Sequence, residues 1–218
     1  TTAIREFLAT VIEPVGFLDF ETFMEPVPSF DYQRPYQQIP FQYSLHLLAN
    51  GRLKHYEFLG EPGLDPRRPF MEKLLSEVRP CRTILVYNQA FEVARLQEMA
   101  TTFPEFAEDI EALIARIVDL MVPFRHKDYY VKAMCGSHSI KYVLPALVAD
   151  LSYDSLAIAD GEMAMLAYVR LAKTNGMAEK EKVRQDLLEY CRLDTFAMVR
   201  IWQKLVSLTQ PRGQLSLF

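Results

Sequence analysis

Three short segments carry acids where acids are expensive. In Gly16-Phe17-Leu18-Asp19-Phe20-Glu21-Thr22 an apolar run of strand length ends in two carboxylates. Strand side chains alternate between faces, so Asp19 and Glu21, two apart, point the same way. Like charges side by side raise each other's pKa unless a cation sits between them. A strand with one polar face would give the same spacing, but Phe17, Leu18 and Phe20 make the surroundings apolar and set the pair at a sheet edge or mouth. In Val86-Tyr87-Asn88-Gln89-Ala90-Phe91-Glu92 a strand run gives way to a helix that Asn88 can cap, with Glu92 in its first turn. Taken alone, a Glu there is an ordinary partner for the helix dipole. In Leu187-Leu188-Glu189-Tyr190-Cys191-Arg192-Leu193-Asp194, Tyr190 and Asp194 lie four apart on one helix face. The flanking leucines and Met198 set Asp194 near the core boundary, where an unpaired carboxylate is costly and where a Tyr–Asp hydrogen bond or an ion pair would also satisfy it.

The elements that must position these groups follow from punctuation and period. Residues 1–14 read as a lead-in, with Ile4, Phe7, Leu8 and Ile12 at helical spacing before Pro14. Val15–Glu21 is a strand, and the Pro- and Gln-rich stretch 24–40 is an ordered loop. Phe41–Leu48 and Leu53–Leu59 around Asn50-Gly51 form a hairpin signal. A helix is expected over Pro66–Val78, a buried strand over Thr83–Tyr87, helices over Ala90–Thr101 and Glu105–Ile117, and a strand near Val118–Val122. Helices follow over Ser139–Leu147, Gly161–Lys173 and, long and amphipathic, Glu179–Leu208. A hairpin first, then strand and helix alternating, predicts an α/β fold with a mixed sheet. The organisation is a single domain over 15–208 with a lead-in at 1–14 and a tail at 209–218.

Taken in order, a strand D-x-E, an Asn followed by an acid at a strand-to-helix junction and a late helical Y-x-x-x-D resemble the DEDD exonuclease superfamily, in its tyrosine subclass. Glu189 stands where the histidine subclass would carry His. The superfamily's second motif carries Asp where Glu92 stands; Glu keeps the charge and is one methylene longer. More narrowly, Asp19-Phe20-Glu21-Thr22, Gly136-Ser137-His138-Ser139-Ile140-Lys141 with Val143-Leu144-Pro145, and Glu189-Tyr190-Cys191-Arg192-Leu193-Asp194-Thr195 resemble a bacterial domain family of unassigned function. That family is usually found at the C-terminal end of longer proteins, and the likeness spans roughly residues 15–205. The resemblance implies a ribonuclease H-like mixed central β-sheet flanked by helices and 3′-to-5′ phosphodiester hydrolysis of DNA or RNA. Asp19, Glu21, Glu92, Tyr190 and Asp194 would be the catalytic set.

Four carboxylates facing one cleft suit two hard divalent ions, Mg²⁺ or Mn²⁺, which take oxygen ligands and flank a phosphate. By resemblance Asp19 bridges both ions, Glu21 and Asp194 complete one, and Glu92 holds the other largely through water. Tyr190, with an ordinary pKa of about 10, is a poor general base and is assigned to orienting the water. The other reading is a catalytically weak or inactive module of the same fold that binds nucleic acid or is tethered to a sliding clamp.

Composition bounds the partners. Of 218 residues, 24 are Lys or Arg and 28 are Asp or Glu, a net charge of −4 that provides no global basic field for a nucleic acid. A single-stranded 3′ end would have to be held locally, by the metals with a few cations and rings. The candidates are Asn88, Arg125, Lys127, Tyr129, Lys132, His138 and Lys141, most of them in a basic, aromatic loop that could equally be a solvated face. The four histidines show no ligand spacing, and Asp119 ends a candidate strand from which it could enter the cleft, a cap or structural hydrogen bond being the stronger reading. Three scattered cysteines exclude a disulfide framework and fit a reducing, cytoplasmic compartment. No apolar run is long enough to cross a bilayer. The chain opens on Thr1 with no secretory pattern, as expected for a piece of a longer protein.

After Gln210-Pro211-Arg212-Gly213 the chain closes on Gln214-Leu215-Ser216-Leu217-Phe218. This is similar to the pentapeptide by which bacterial replication and repair proteins dock on the sliding clamp. Gln214 would supply directed hydrogen bonds, and Leu215, Leu217 and Phe218 would fill apolar pockets. An apolar tail folding back on its own domain is the competing expectation.

Overall fold

The computed structural model of the chain describes residues 2–209. In chain order the elements are α1 (Thr2–Ala9), β1 (Val15–Phe23), β2 (Ile39–Ala49), β3 (Arg52–Leu59), α2 (Arg67–Val78), β4 (Thr83–Val86) and α3 (Gln89–Thr102). After a 3₁₀ turn at Pro104–Phe106 come α4 (Ala107–Ile114), β5 (Ile117–Asp119) and α5 (Val122–Arg125). A second 3₁₀ turn at Lys132–Met134 leads to α6 (Ile140–Leu147), α7 (Gly161–Leu171) and α8 (Met177–Thr209).

The five strands form one mixed sheet in the order β3-β2-β1-β4-β5. β1 pairs antiparallel with β2 and parallel with β4, β2 pairs antiparallel with β3, and β4 pairs parallel with β5. The β2–β3 turn is fixed by Asn50 and Gly51, whose φ angles of 52° and 70° are the two left-handed positions that such a hairpin demands. β1 is therefore the central strand, not an edge. Of the two placements expected for the acids, a sheet edge or mouth, the edge is excluded: Asp19 stands at the middle of this central strand and Glu21 two residues on, and the strand runs past its expected end at Glu21 to Phe23.

Side-chain alternation along β1 divides the interior. Val15 and Phe17 join the cluster that contains Ala197, Met198, Ile201 and Leu205 of α8, together with Ile4 of α1. Leu18 and Phe20 point to the other face, into a cluster with Phe70, Met71 and Leu74 of α2 and Leu96 and Met99 of α3. A third cluster, with Phe23, Phe41, Tyr168, Leu187 and Tyr190, closes the end of the sheet beside the acids. There the Phe41 and Tyr168 rings stack with centroids 3.9 Å apart. Gly16 is where the sheet meets the loop before β4: a Cβ there would lie 2.9 Å from Cys81 Sγ and 3.1 Å from Leu45 Cδ1.

Three expectations are corrected. The helix expected to run to Ile117 stops at Ile114, because Ile117 pairs with Ile84 as the first residue of β5. That strand ends at Asp119, and Val122 opens the short α5 with Pro123 in its first turn. Asn88 precedes α3 but makes no side-chain cap; it adopts φ 83°, and its backbone N–H donates to Asp119 Oδ1 at 3.0 Å. Asp119 Oδ1 also accepts from the Met121 N–H, so this buried acid is a structural acceptor between two loops. Among the described residues no helix is long and apolar enough to cross a membrane. The tail positions Gln214, Leu215, Leu217 and Phe218 lie outside the described residues.

Candidate functional site

Asp19 and Glu21 face α8 from β1, opposite Ser44 and Gln42 of β2. On α8 the residues turned toward them are Tyr190, Cys191, Asp194 and Thr195, all buried. This is the helical three-and-four spacing laid across the pleat of the sheet. Cys191 sits between helix and strand, with Sγ 3.9 Å from both the backbone oxygen and Oδ2 of Asp19. As a result Asp19, Glu21 and Asp194 each present a carboxylate oxygen within 4.8 Å of the other two.

Glu92 arrives from the opposite direction, in the first turn of α3, and is only 2% exposed. It lines the same hollow of about 260 Å³ as Asp19, Glu21, Asp194, Tyr190 and Lys141. Its Oε2 is shielded from solvent and has no hydrogen-bond partner among the described residues. Glu92 stands outside the tight triad of the other three acids but looks into the same space.

The electrostatics are those of crowded, desolvated anions. Burial pushes Glu21 up to about 8, helped by the Asp194 charge and opposed by Lys141. Burial raises Glu92 to about 8, with Asp119 adding to the push and Arg95 opposing it. Asp19 is raised well above the usual carboxylate range by burial and then by Asp194, Glu21 and Glu92. Asp194 rises only to about 6, because hydrogen bonds from Tyr153 and Tyr190 and the Lys141 charge offset its burial. All-oxygen donors that cannot remain ionised together unaided, with one orphaned carboxylate oxygen among them, match a hard divalent cation.

Two phenols attend this cluster. Tyr153, in the loop between α6 and α7, donates to Asp194 Oδ1 at 2.6 Å. Burial and the Asp194 carboxylate drive the pKa of both Tyr153 and Tyr190 upward, so both hydroxyls are neutral donors. Tyr153 was not among the residues singled out from sequence, and a loop tyrosine distant in the chain carries no local signal. Lys141 lines the hollow, and its Nζ is anchored 2.7 Å from the Ala159 backbone oxygen. The Asp160 carboxylate that caps α7 adds to the negative field at Glu21.

Of the residues proposed to hold a nucleic acid, Asn88 and Lys141 line the acid-bearing hollow. His138 approaches through its backbone oxygen, which accepts from Tyr87 Oη at 2.7 Å, and Tyr87 lines the hollow too. Arg125, Lys127 and Lys132 are exposed and outside it, and Tyr129 packs edge-on against Phe124 in the core. His46 and His55 are hydrogen-bonded beneath α8: His46 Nδ1 lies 2.8 Å from Thr195 Oγ1, and His55 Nε2 lies 2.9 Å from Ser44 Oγ. A larger hollow of about 470 Å³ opens beside these histidines, but it contains a single carboxylate, Glu189, so the acid chemistry belongs to the smaller one.

A family model described as a domain of unknown function, DUF2779, matches residues 16–139. That stretch contains Asp19, Glu21 and Glu92; Tyr190 and Asp194 lie beyond it. Two uncharacterized proteins are similar over 205 residues, one from Mycoplasma pneumoniae at 28% identity and one from Mycoplasma genitalium at 26%. Each alignment covers 85% of this chain and 31% of the relative, so the chain spans about a third of the length of the curated relatives it matches. No solved structure matches the chain.

Proposed function

We propose that this chain, which belongs to the DUF2779 family, is a metal-dependent nuclease that removes nucleotides from the 3′ end of a nucleic acid. The scaffold would be ribonuclease H-like, as in the tyrosine subclass of DEDD exonucleases. One observation carries the reading. Asp19, Glu21, Glu92 and Asp194, drawn from three separated segments, line one hollow together with Tyr190. A mixed sheet with both acids on one face of its central strand supports the same reading.

Asp19, Glu21 and Asp194 would hold one divalent ion, and Glu92 would face a second from α3. Such ions supply an acidified water and charge stabilisation at the leaving oxygen. The chain's own groups do the rest. Tyr153 holds Oδ1 of Asp194 in place. Tyr190, a neutral donor, orients the attacking water, and Lys141 balances the negative charge that a phosphate brings to the hollow.

The test is an end-labelled single strand of DNA and one of RNA, each with Mg²⁺, Mn²⁺ or EDTA. The expected result is stepwise shortening from the 3′ end that EDTA and Asp19→Asn both abolish. Absence of shortening of either polymer in Mn²⁺ would overturn the nuclease reading. Glu92, standing apart from the tight triad, favours one alternative: a module that binds nucleic acid with little turnover. Binding without shortening selects it. The sliding-clamp role of the tail is a separate proposal, tested by titrating a peptide of residues 210–218 against the clamp; no binding at high micromolar concentration would end it.

A further inference from the structure

We propose that the 24–38 loop and the outer face of α3 form a track for single-stranded nucleic acid, with Tyr32 and Tyr36 as base-stacking rings and Arg34 and Arg95 as phosphate contacts. The inference rests on the nuclease reading, and it adds a binding surface that leads away from the acids.

The loop has no strand or helix, yet its own side chains fix it. Gln33, buried, accepts at Oε1 from the Ser29 and Phe30 N–H groups, and Gln37 Oε1 accepts from the Arg34 N–H at 2.9 Å. The Tyr36 N–H donates to the Glu25 backbone oxygen at 2.8 Å. Arg67, itself buried, reaches out of α2 and donates from Nη2 to the Asp31 backbone oxygen at 2.7 Å. This frame does not hide the two tyrosines. Tyr32 is 87% and Tyr36 66% exposed, and both take left-handed backbone angles, φ 59° and 58°. Bulky residues rarely adopt that conformation, and such strain collects at binding and catalytic sites. A rigid loop that holds two strained tyrosines with their rings in water keeps those rings free for a flat partner.

The track is continuous with the acid-lined hollow. Phe91 lines that hollow, and the Arg95 guanidinium lies 5.3 Å from the Phe91 ring centroid, one turn further along α3. Arg95 then lines a hollow of about 380 Å³ with Met24, Arg34 and Tyr36. Arg34 is shared with the next hollow, of about 580 Å³, which Tyr32 and Thr102 line. From Glu92 to Thr102 the helix rises about 15 Å. At about 3.4 Å per stacked nucleotide that length accommodates roughly four. Glu98 is the carboxylate facing both hollows, and it is paired by Arg34 at 3.5 Å and Arg95 at 3.2 Å, so two guanidiniums meet one acid along the path. Isolated rings alternating with guanidiniums suit bases alternating with phosphates better than they suit a continuous apolar protein surface.

The test is fluorescence anisotropy in EDTA with labelled oligothymidylates of two, six and twelve nucleotides and a blunt duplex. The variants are Tyr32→Asn with Tyr36→Asn, and Arg34→Ala; Asn tolerates the left-handed backbone, so the loop is kept while the rings are removed. Wild-type affinity should rise from the dimer to the hexamer, and the double variant should lose about tenfold or more on the longer strands. The Mn²⁺-induced rise in Tm should be unaltered, which shows the acids intact. Arg34→Ala should reduce the salt dependence of binding. Equal affinity of wild type and double variant for the hexamer, tighter binding of duplex than of single strand, or no binding by the wild type overturns the track. Turnover in Mn²⁺ is scored separately: its absence defeats the nuclease reading, while the binding series alone decides the track.

Discussion

Glu21→Gln isolates the electrostatic strain at the centre of the site. Glu21 makes no hydrogen bond that the amide would break among those of the described residues, and its partner across the sheet is the neutral Gln42. At the 4.8 Å limit separating the three acids, two unit charges in a medium of effective dielectric near 20 repel by about 3 kcal/mol. The rise of Glu21 from 4.5 to about 8 corresponds to a penalty of roughly 3–5 kcal/mol on the ionised form, most of it from burial. The sign follows from proton counting. Between the ordinary and the raised pKa the folded state keeps a proton that the unfolded chain releases, so metal-free stability falls as pH rises from about 4.5 to about 8. Glutamine pays only the smaller cost of burying an amide, so about 2 kcal/mol should be recovered in EDTA at pH 8. For a chain of this size that raises Tm by roughly 4–8 °C. In Mg²⁺ the order should reverse, because the wild type gains the binding energy of the ion and the variant loses one ligand. The assay is thermal melting from pH 5 to pH 8 with EDTA or 5 mM Mg²⁺, roughly a hundredfold or more above a tight site's Kd. A variant less stable than the wild type in EDTA at pH 8, or stabilised equally by Mg²⁺, refutes the reasoning.

Tyr153→Phe removes the 2.6 Å hydrogen bond that orients Asp194, so calorimetric Mn²⁺ affinity should weaken by about 10- to 100-fold; an unchanged Kd would remove Tyr153 from the site. Burial lowers His46 to about 3, with the charges of His55 and Arg192 adding to the effect. The unfolded chain therefore binds a proton that the folded one refuses, and the stability advantage of wild type over His46→Gln should shrink as pH falls from about 6.5 to 4, by up to about 1.4 kcal/mol per unit. A gap that does not depend on pH in urea melts contradicts this. Gly16→Ala would press a methyl against Cys81 Sγ and Leu45, and should cost about 1–3 kcal/mol of unfolding free energy in denaturant melts with no change in metal affinity.

The elements that position the site were legible where local chemistry is decisive. Asn50-Gly51 announced the hairpin because few other pairs accept two left-handed angles. The D-x-E of β1 and the Y-x-x-x-D of α8 were legible because periods of two and of nearly four fix which side chains share a face. That β1 is central and not peripheral was not legible, since strand order depends on the crossover from β1 through the hairpin to β4. Asn88 looked like a cap, yet Asp119, far along the chain, takes its N–H, and the residue turns left-handed. Tyr153 and the ordering of the 24–38 loop by Gln33 and Arg67 also depend on partners that are distant or that reach back to the backbone. Hydrophobic period carries no trace of such contacts.

The most direct measurement is anomalous diffraction at the manganese edge from crystals soaked in MnCl₂. The account predicts a Mn²⁺ ion in contact with Asp19, Glu21 and Asp194, with any second ion on the Glu92 side of the same hollow. Manganese bound only at other positions, or none at this cluster at millimolar concentration, would contradict it.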